Sequence, residues 1–149
     1  MENKRTTELL NLLSSEGSES YFKKYAPEWE EMSGYTNLKD YFNAYFSNHP
    51  DITPAEVIKR SDLDRGYAYQ ILNGTKKHPG KYKLVLLCLC AGMTLKETQR
   101  ALTISGCSVL YPKITCDAAL IICINNGYNT MLQVMDFFNE NGLNPLPLR

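Results

Sequence analysis

The chain has 149 residues, 44% hydrophobic and 21% charged, with sixteen Lys and Arg offset by sixteen Asp and Glu, the composition of an ordinary globular domain with enough apolar material for one core. Apolar runs such as Leu84–Cys90 and Ala118–Ile124 fall far short of the roughly 18 residues that span a bilayer. The N-terminus interleaves Glu2, Lys4, Arg5 and Glu8 with apolar residues, so no signal core is expected and the expected location is cytoplasmic.

Cysteine and histidine usage excludes further classes. Cys88, Cys90, Cys107, Cys116 and Cys123 form an odd set with no Cys-x-x-Cys pair, and reduced, buried thiols are expected. Cys88 and Cys90 would lie about 200° apart on a helix and cannot share a metal. His49 and His78 both precede prolines, so neither a metal centre nor a Ser/His/Asp arrangement assembles, and no enzyme, cofactor or metal is expected.

Residues 1–35 read as a helical arm. Leu9, Leu10, Leu12 and Leu13 suit one short amphipathic helix, Ser14–Ser18 breaks it, and a second stretch carries Tyr21, Phe22, Tyr25, Trp29 and Met32. Residues 1–36 hold seven acidic against four basic side chains. The aromatic and leucine content is too high for a disordered tail, so the arm is expected to dock on its own body or on a protein partner. Asn37 then caps a helix to about Ser47 with Leu38, Tyr41, Phe42, Tyr45 and Phe46 as its apolar stripe.

The segment Ile52–Gly74 is the most informative. Thr53 is an N-cap, Pro54 sits at the first helical position, and Glu56 completes a Thr-x-x-Glu box, so a helix starts at Pro54 with Val57 and Ile58 facing inward. Ser61 and Asp62 favour a turn, Asp64 caps a second helix over Arg65–Asn73, and Gly74 ends it. On that helix Leu63, Ala68 and Ile71 are the apolar positions, leaving Arg65, Gly66, Tyr69, Gln70 and Asn73 outward. Tyr67 is expected against the first bundle helix. Residues 59–83 carry seven Lys or Arg against two Asp, which concentrates positive charge on and after this helix pair.

The rest of the chain repeats with a shift of 35 residues, which brings Leu86 onto Ile121, Leu89 onto Ile124, Gly92 onto Gly127, Thr94 onto Asn129, Leu102 onto Phe137 and Pro112 onto Pro147. Two stacked αα-hairpins are expected. Helix Lys83–Ala91 opens the first, Thr94-x-x-Glu97 boxes the helix carrying Leu95, Thr98, Ala101 and Leu102, Thr115 and Asp117 open a buried helix, and Asn129 opens the last, bearing Leu132, Val134, Met135 and Phe138.

From Asn37 to Leu95 the chain resembles the lambda-repressor-like helix-turn-helix regulators of bacteria and phage, of the xenobiotic-response-element type. The carriers are the Thr53 cap, buried Val57 and Ile58, Leu63 before the second helix, Ala68 and Ile71 within it, the Asn73-Gly74 ending, the basic loop Thr75–Pro79, the apolar helix Lys83–Ala91 and then Gly92–Leu95. Leu72 stands where that family has an exposed charge, so something covers it, and the arm is a candidate. The resemblance implies an all-α bundle over residues 36–92, extended here by the arm and by the tandem αα-hairpin region 83–149.

It also implies a DNA-binding transcription regulator with the second helix in the major groove. Arg65 and Gln70 suit base reading, the first through guanine O6 and N7 and the second through adenine N6 and N7. Tyr69 suits sugar or a thymine methyl, and Gly66 admits the backbone closely. Thr53, Asn73, Lys76, Lys77 and Lys59 suit phosphates. The competing reading is a protein-interaction module on the same fold, recruiting a partner through the arm or the hairpins without DNA. A two-fold homodimer joined by the C-terminal hairpin is expected, from Met131, Met135, Phe137 and Phe138.

Overall fold

The computed structural model describes residues 35–148; the expected arm over residues 1–34 lies outside the described residues. Seven helices and no strand occur among the described residues: α1 (Leu38–Asn48), α2 (Pro54–Ser61), α3 (Arg65–Leu72), α4 (Lys81–Cys90), α5 (Leu95–Ile104), α6 (Thr115–Asn125) and α7 (Met131–Glu140). None is long and apolar enough to cross a membrane.

Helix α4 is the axle. Every side chain from Leu84 to Cys90 is buried, which an amphipathic surface helix never achieves. It packs against α2 on one side and α5 on the other. Each fully buried Leu here contributes about 1.5–3 kcal/mol. Helix α1 lies across α3 and α5 and is fixed by two phenols: Tyr41 Oη donates to Glu97 O at 2.9 Å and Tyr45 Oη donates to Ala91 O at 2.7 Å. Burial first, then the Glu97 carboxylate, pushes the Tyr45 phenol up to about 12.

The repeat is visible in the backbone. Ala91, Gly92 and Met93 N–H groups close α4 on Leu87, Leu89 and Cys88 carbonyls, and Asn126, Gly127 and Tyr128 close α6 on Ile122, Ile124 and Cys123 at the corresponding positions. Gly92 and Gly127 take φ of 81° and 77°, which favours glycine at both stops. After these stops the register slips by one. The last helix is capped by Thr130, whose Oγ1 accepts from Gln133 N, not by Asn129, and so Thr130 matches Thr94. The second turns then pair Cys107 N with Leu102 O and Leu143 N with Phe138 O, so Leu102 corresponds to Phe138 and not to Phe137.

That slip rotates α7. Its buried face is Val134, Phe137 and Phe138, so Phe137 and Phe138, expected at a surface shared between two subunits, belong to the protein's own core, whereas Leu132 and Met135 are 66% and 53% exposed. Leu72 is buried, as expected of a position that something covers, and belongs to the core cluster. Among the cysteines, Cys88, Cys90 and Cys123 are buried as expected, but Cys107 and Cys116 are only half-buried.

Candidate nucleic-acid interface

Local chemistry sets the two short helices α2 and α3 at a fixed angle. Thr53 Oγ1 accepts from Glu56 N at 3.2 Å, which leaves its hydroxyl proton to point outward. The expected capping box is half made, because the Glu56 carboxylate takes Arg60 Nε at 3.3 Å instead. The helix stops at Asp62, which adopts φ 56°, the left-handed region that a short polar side chain tolerates best after glycine. Ser61 is buried under the turn. Its Oγ donates to Ile58 O at 2.7 Å and accepts from Leu63 N at 3.2 Å, satisfying a polar pair that would otherwise cost stability.

Asp64 then caps α3 by accepting from Tyr67 N at 2.9 Å. One side of α3 is sealed: Ala68 and Ile71 are fully buried and Leu72 nearly so. The other side is open, with Arg65, Gly66, Tyr69 and Gln70 all exposed. Gly66 has no packing reason to be glycine. An added Cβ there would meet only Asp64 Oδ2 at 3.5 Å, an ordinary contact, and its backbone is not left-handed.

The loop after α3 is folded back and held. Asn73 caps α3 and its Oδ1 accepts from Thr75 N at 2.9 Å, while Lys76 N donates to Gln70 O at 2.9 Å. Gly74 follows with φ 82°, against Lys39 Cβ, which an added Cβ would approach to 3.1 Å. Tyr67 is the prop. Its Oη accepts from Gly80 N at 3.0 Å, and Lys83 and Lys76 ammonium groups stand 4.2 and 5.3 Å from its ring centre. It therefore anchors the loop while half-buried against the core.

All nine residues expected to touch DNA are exposed. An open groove of about 540 Å³ between α2 and α3 brings Thr53, Lys59, Arg65 and Tyr69 together. Lys76 and Lys77 line a second depression, of about 360 Å³, shared with the start of α1 and the end of α5. Gly66, Gln70 and Asn73 line neither. The positive charge is less uniform than the sequence count implies. Arg60 reaches Cys90 O and Glu56, and Lys81 is drawn inside. Lys59, Arg65 and Lys77 make no ion pair with the described residues.

Lys81 belongs to a buried node that sequence reasoning missed. Asp117, fully buried, accepts from Lys81 Nζ at 3.0 Å, from Tyr82 Oη at 2.6 Å and from Tyr111 N at 2.9 Å, and Lys81 also reaches Ser108 and Val109. Burial and the Asp117 bond push the Tyr82 phenol upward. The signal in the sequence was a lone carboxylate beside an apolar run, with a Lys-Tyr pair opening the facing apolar helix. The node locks the start of α4, just after the basic loop, to α6. Among the described residues no cluster of three or more His, Cys, Asp or Glu is placed to hold a metal. No family model, no curated protein and no solved structure matches this chain.

Proposed function

We propose that this protein is a sequence-specific DNA-binding transcription regulator on a lambda-repressor-like helix-turn-helix, with α3 entering the major groove. The observation that carries this reading is the two-sidedness of α3. A helix sealed by Ala68, Ile71 and Leu72 presents Arg65, Gly66, Tyr69 and Gln70 outward, and the capped turn before it and the tied loop after it hold that face rigidly. Rigid elements with convergent donors are what base reading needs.

In this reading Arg65 and Gln70 read bases, Tyr69 lies along sugar or a thymine methyl, and Gly66 lets the backbone approach. Thr53 and Lys59 on one flank and Asn73, Lys76 and Lys77 on the other hold phosphates and set the register. One recognition helix reads few base pairs, so two copies on half-sites about one DNA turn apart follow. The exposed Leu132 and Met135 of α7 favour a protein contact there, which we assign to the second copy.

Selection from random duplexes, followed by mobility shift at low and at physiological salt, tests the reading. Enrichment of one motif, on top of salt-sensitive non-specific binding, is expected. Retention of no duplex at low salt overturns it, and leaves the protein-interaction module with its α7 surface as the explanation for the exposed apolar positions.

A further inference from the structure

The loop between α3 and α4 carries Lys76 and Lys77, and its two ends are held by different parts of the molecule. Its start is tied back through Asn73 Oδ1 and Gln70 O. Its end is gripped by the connection between α5 and α6: Cys107 Sγ donates to Pro79 O at 3.5 Å, and Lys81 Nζ donates to Ser108 Oγ at 3.0 Å, to Val109 O at 3.1 Å and to Asp117 Oδ2 at 3.0 Å. That connection is itself fixed. Gln99 of α5 clamps Leu110, donating from Nε2 to its carbonyl at 2.9 Å and accepting from its N–H at 2.7 Å, and Asp117 accepts from Tyr111 N at 2.9 Å.

Stability alone does not call for this arrangement. Apolar residues of similar size in place of a buried ion pair are often neutral or stabilising, because both charges must be stripped of water, and the Asp117 side chain is fully buried with Lys81 only 17% exposed. What the pair supplies and an apolar contact does not is direction, since an ammonium group bonded to oxygens on separate residues is fixed in place. The neighbours of Lys81 use that fixed point. Gly80 N, just before it, donates to Tyr67 Oη at 3.0 Å, and the ammonium group of Lys83, just after it, stands 4.2 Å from the centre of the same ring, with that of Lys76 at 5.3 Å. Lys81 therefore sets where the chain clasps Tyr67, the side chain around which the basic loop folds.

We propose that Lys81 and Asp117 are positioning residues for the basic loop: they fix its exit against the α5–α6 connection, so that Lys76 and Lys77 are presented beside α3 in one arrangement. The hold on the loop stands on these contacts. Its consequence rests on the DNA reading above, in which a loop fixed at both ends offers its lysines to phosphates without first being ordered. Lys81 holds no phosphate in this role, because its charge is matched by Asp117.

Lys81→Met/Asp117→Leu removes the pair and leaves the net charge unchanged. Amide hydrogen exchange of the full-length protein, followed residue by residue by NMR, reads the hold without DNA. The Gly80 and Lys76 N–H groups exchange several-fold faster in the variant relative to core amides such as those of Leu87 and Leu102. Asp117→Asn, which keeps the size of the side chain and gives up the charge that draws Lys81 inward, moves the same amides in the same direction and carries the test if the double variant does not fold. Gly80 exchange unmoved relative to the core overturns the hold, and so does an acceleration spread evenly over loop and core, which is the mark of lost stability alone. The DNA titration is separate: on random duplex the variant binds several-fold more weakly, and its salt slope falls by about 0.9 for each lysine contact released. Unchanged affinity and slope with a faster loop overturn the positioning role while leaving the hold in place, and a parent that binds no duplex overturns the functional reading alone.

Discussion

Replacing Gly66 by alanine separates what the fold needs from what the interface needs. Glycine in an eight-residue helix is a cost, about 0.5–1 kcal/mol relative to alanine. Gly66 is the second residue of α3 and exposed, with no left-handed backbone, and a Cβ would meet only Asp64 Oδ2 at 3.5 Å. The substitution should therefore stabilise the protein by up to about that amount, raising Tm by about 2–4 °C for each kcal/mol in a chain of this size. On DNA the same methyl group sits where the backbone approaches the groove. Overpacking a fitted surface costs about 1–3 kcal/mol, which is roughly five-fold to more than hundred-fold in Kd. Differential scanning calorimetry and fluorescence anisotropy on one preparation read both. A higher Tm with unchanged operator affinity removes Gly66 from the interface, and a lower Tm refutes the packing argument itself.

The buried node makes a second prediction: Asp117→Ala leaves Lys81 and Tyr82 without their partner and should cost about 3–5 kcal/mol by urea denaturation, whereas Lys81→Met combined with Asp117→Leu should recover much of it. A loss under about 1 kcal/mol for the single change would mean that the node is not a structural lock. Alkaline pH should destabilise the protein. Burial pushes the Cys90 and Cys123 thiols from the ordinary 9.0 up to about 12, and the Tyr45 phenol from 10.0 up to about 12. The folded state thus holds protons that the unfolded chain releases, so this stabilisation is complete below pH 9 and is lost as pH rises toward 12. Thermal midpoints measured across that window should fall, and Cys90→Ala/Cys123→Ala should flatten the decline; a flat profile in the parent contradicts the burial of these groups.

The local grammar of the chain was legible because it rests on short-range chemistry. Thr53-Pro54, Asp64, Asn73-Gly74 and the Thr94-x-x-Glu97 box each decide a helix end from a few neighbouring residues, and α2, α3 and α5 start where these residues place them. The complete Thr94 box and the half-made one at Thr53 look identical in sequence; the difference is Arg60, one turn on, which competes for Glu56. The misplaced cap of α7 has a similar origin. A repeat aligned at one constant shift hides a single extra loop residue, which moves the cap from Asn129 to Thr130 and the counterpart of Leu102 from Phe137 to Phe138. The Tyr67–Gly80 and Tyr82–Asp117 bonds were missed for another reason: their partners come from distant parts of the chain, and such pairings are decided by tertiary packing. The candidate interface fared well as a set of exposed positions, since polar residues opposite a buried stripe are read from periodicity alone. Its subdivision into a groove and a separate basic depression needed the placement of α1 and α5.

The central claim is that α3 reads bases while its flanks hold phosphates, and one comparison tests it most directly. Affinities of the parent, Arg65→Ala, Gln70→Ala and Lys76→Ala are measured by anisotropy on a selected duplex and on random duplex across a salt series. Arg65→Ala and Gln70→Ala should each lose about 1–3 kcal/mol on the selected duplex and far less on random DNA. Lys76→Ala should weaken both alike and lower the salt slope by about one. Three variants that behave identically on the two duplexes, or a parent that does not distinguish them, would contradict the account.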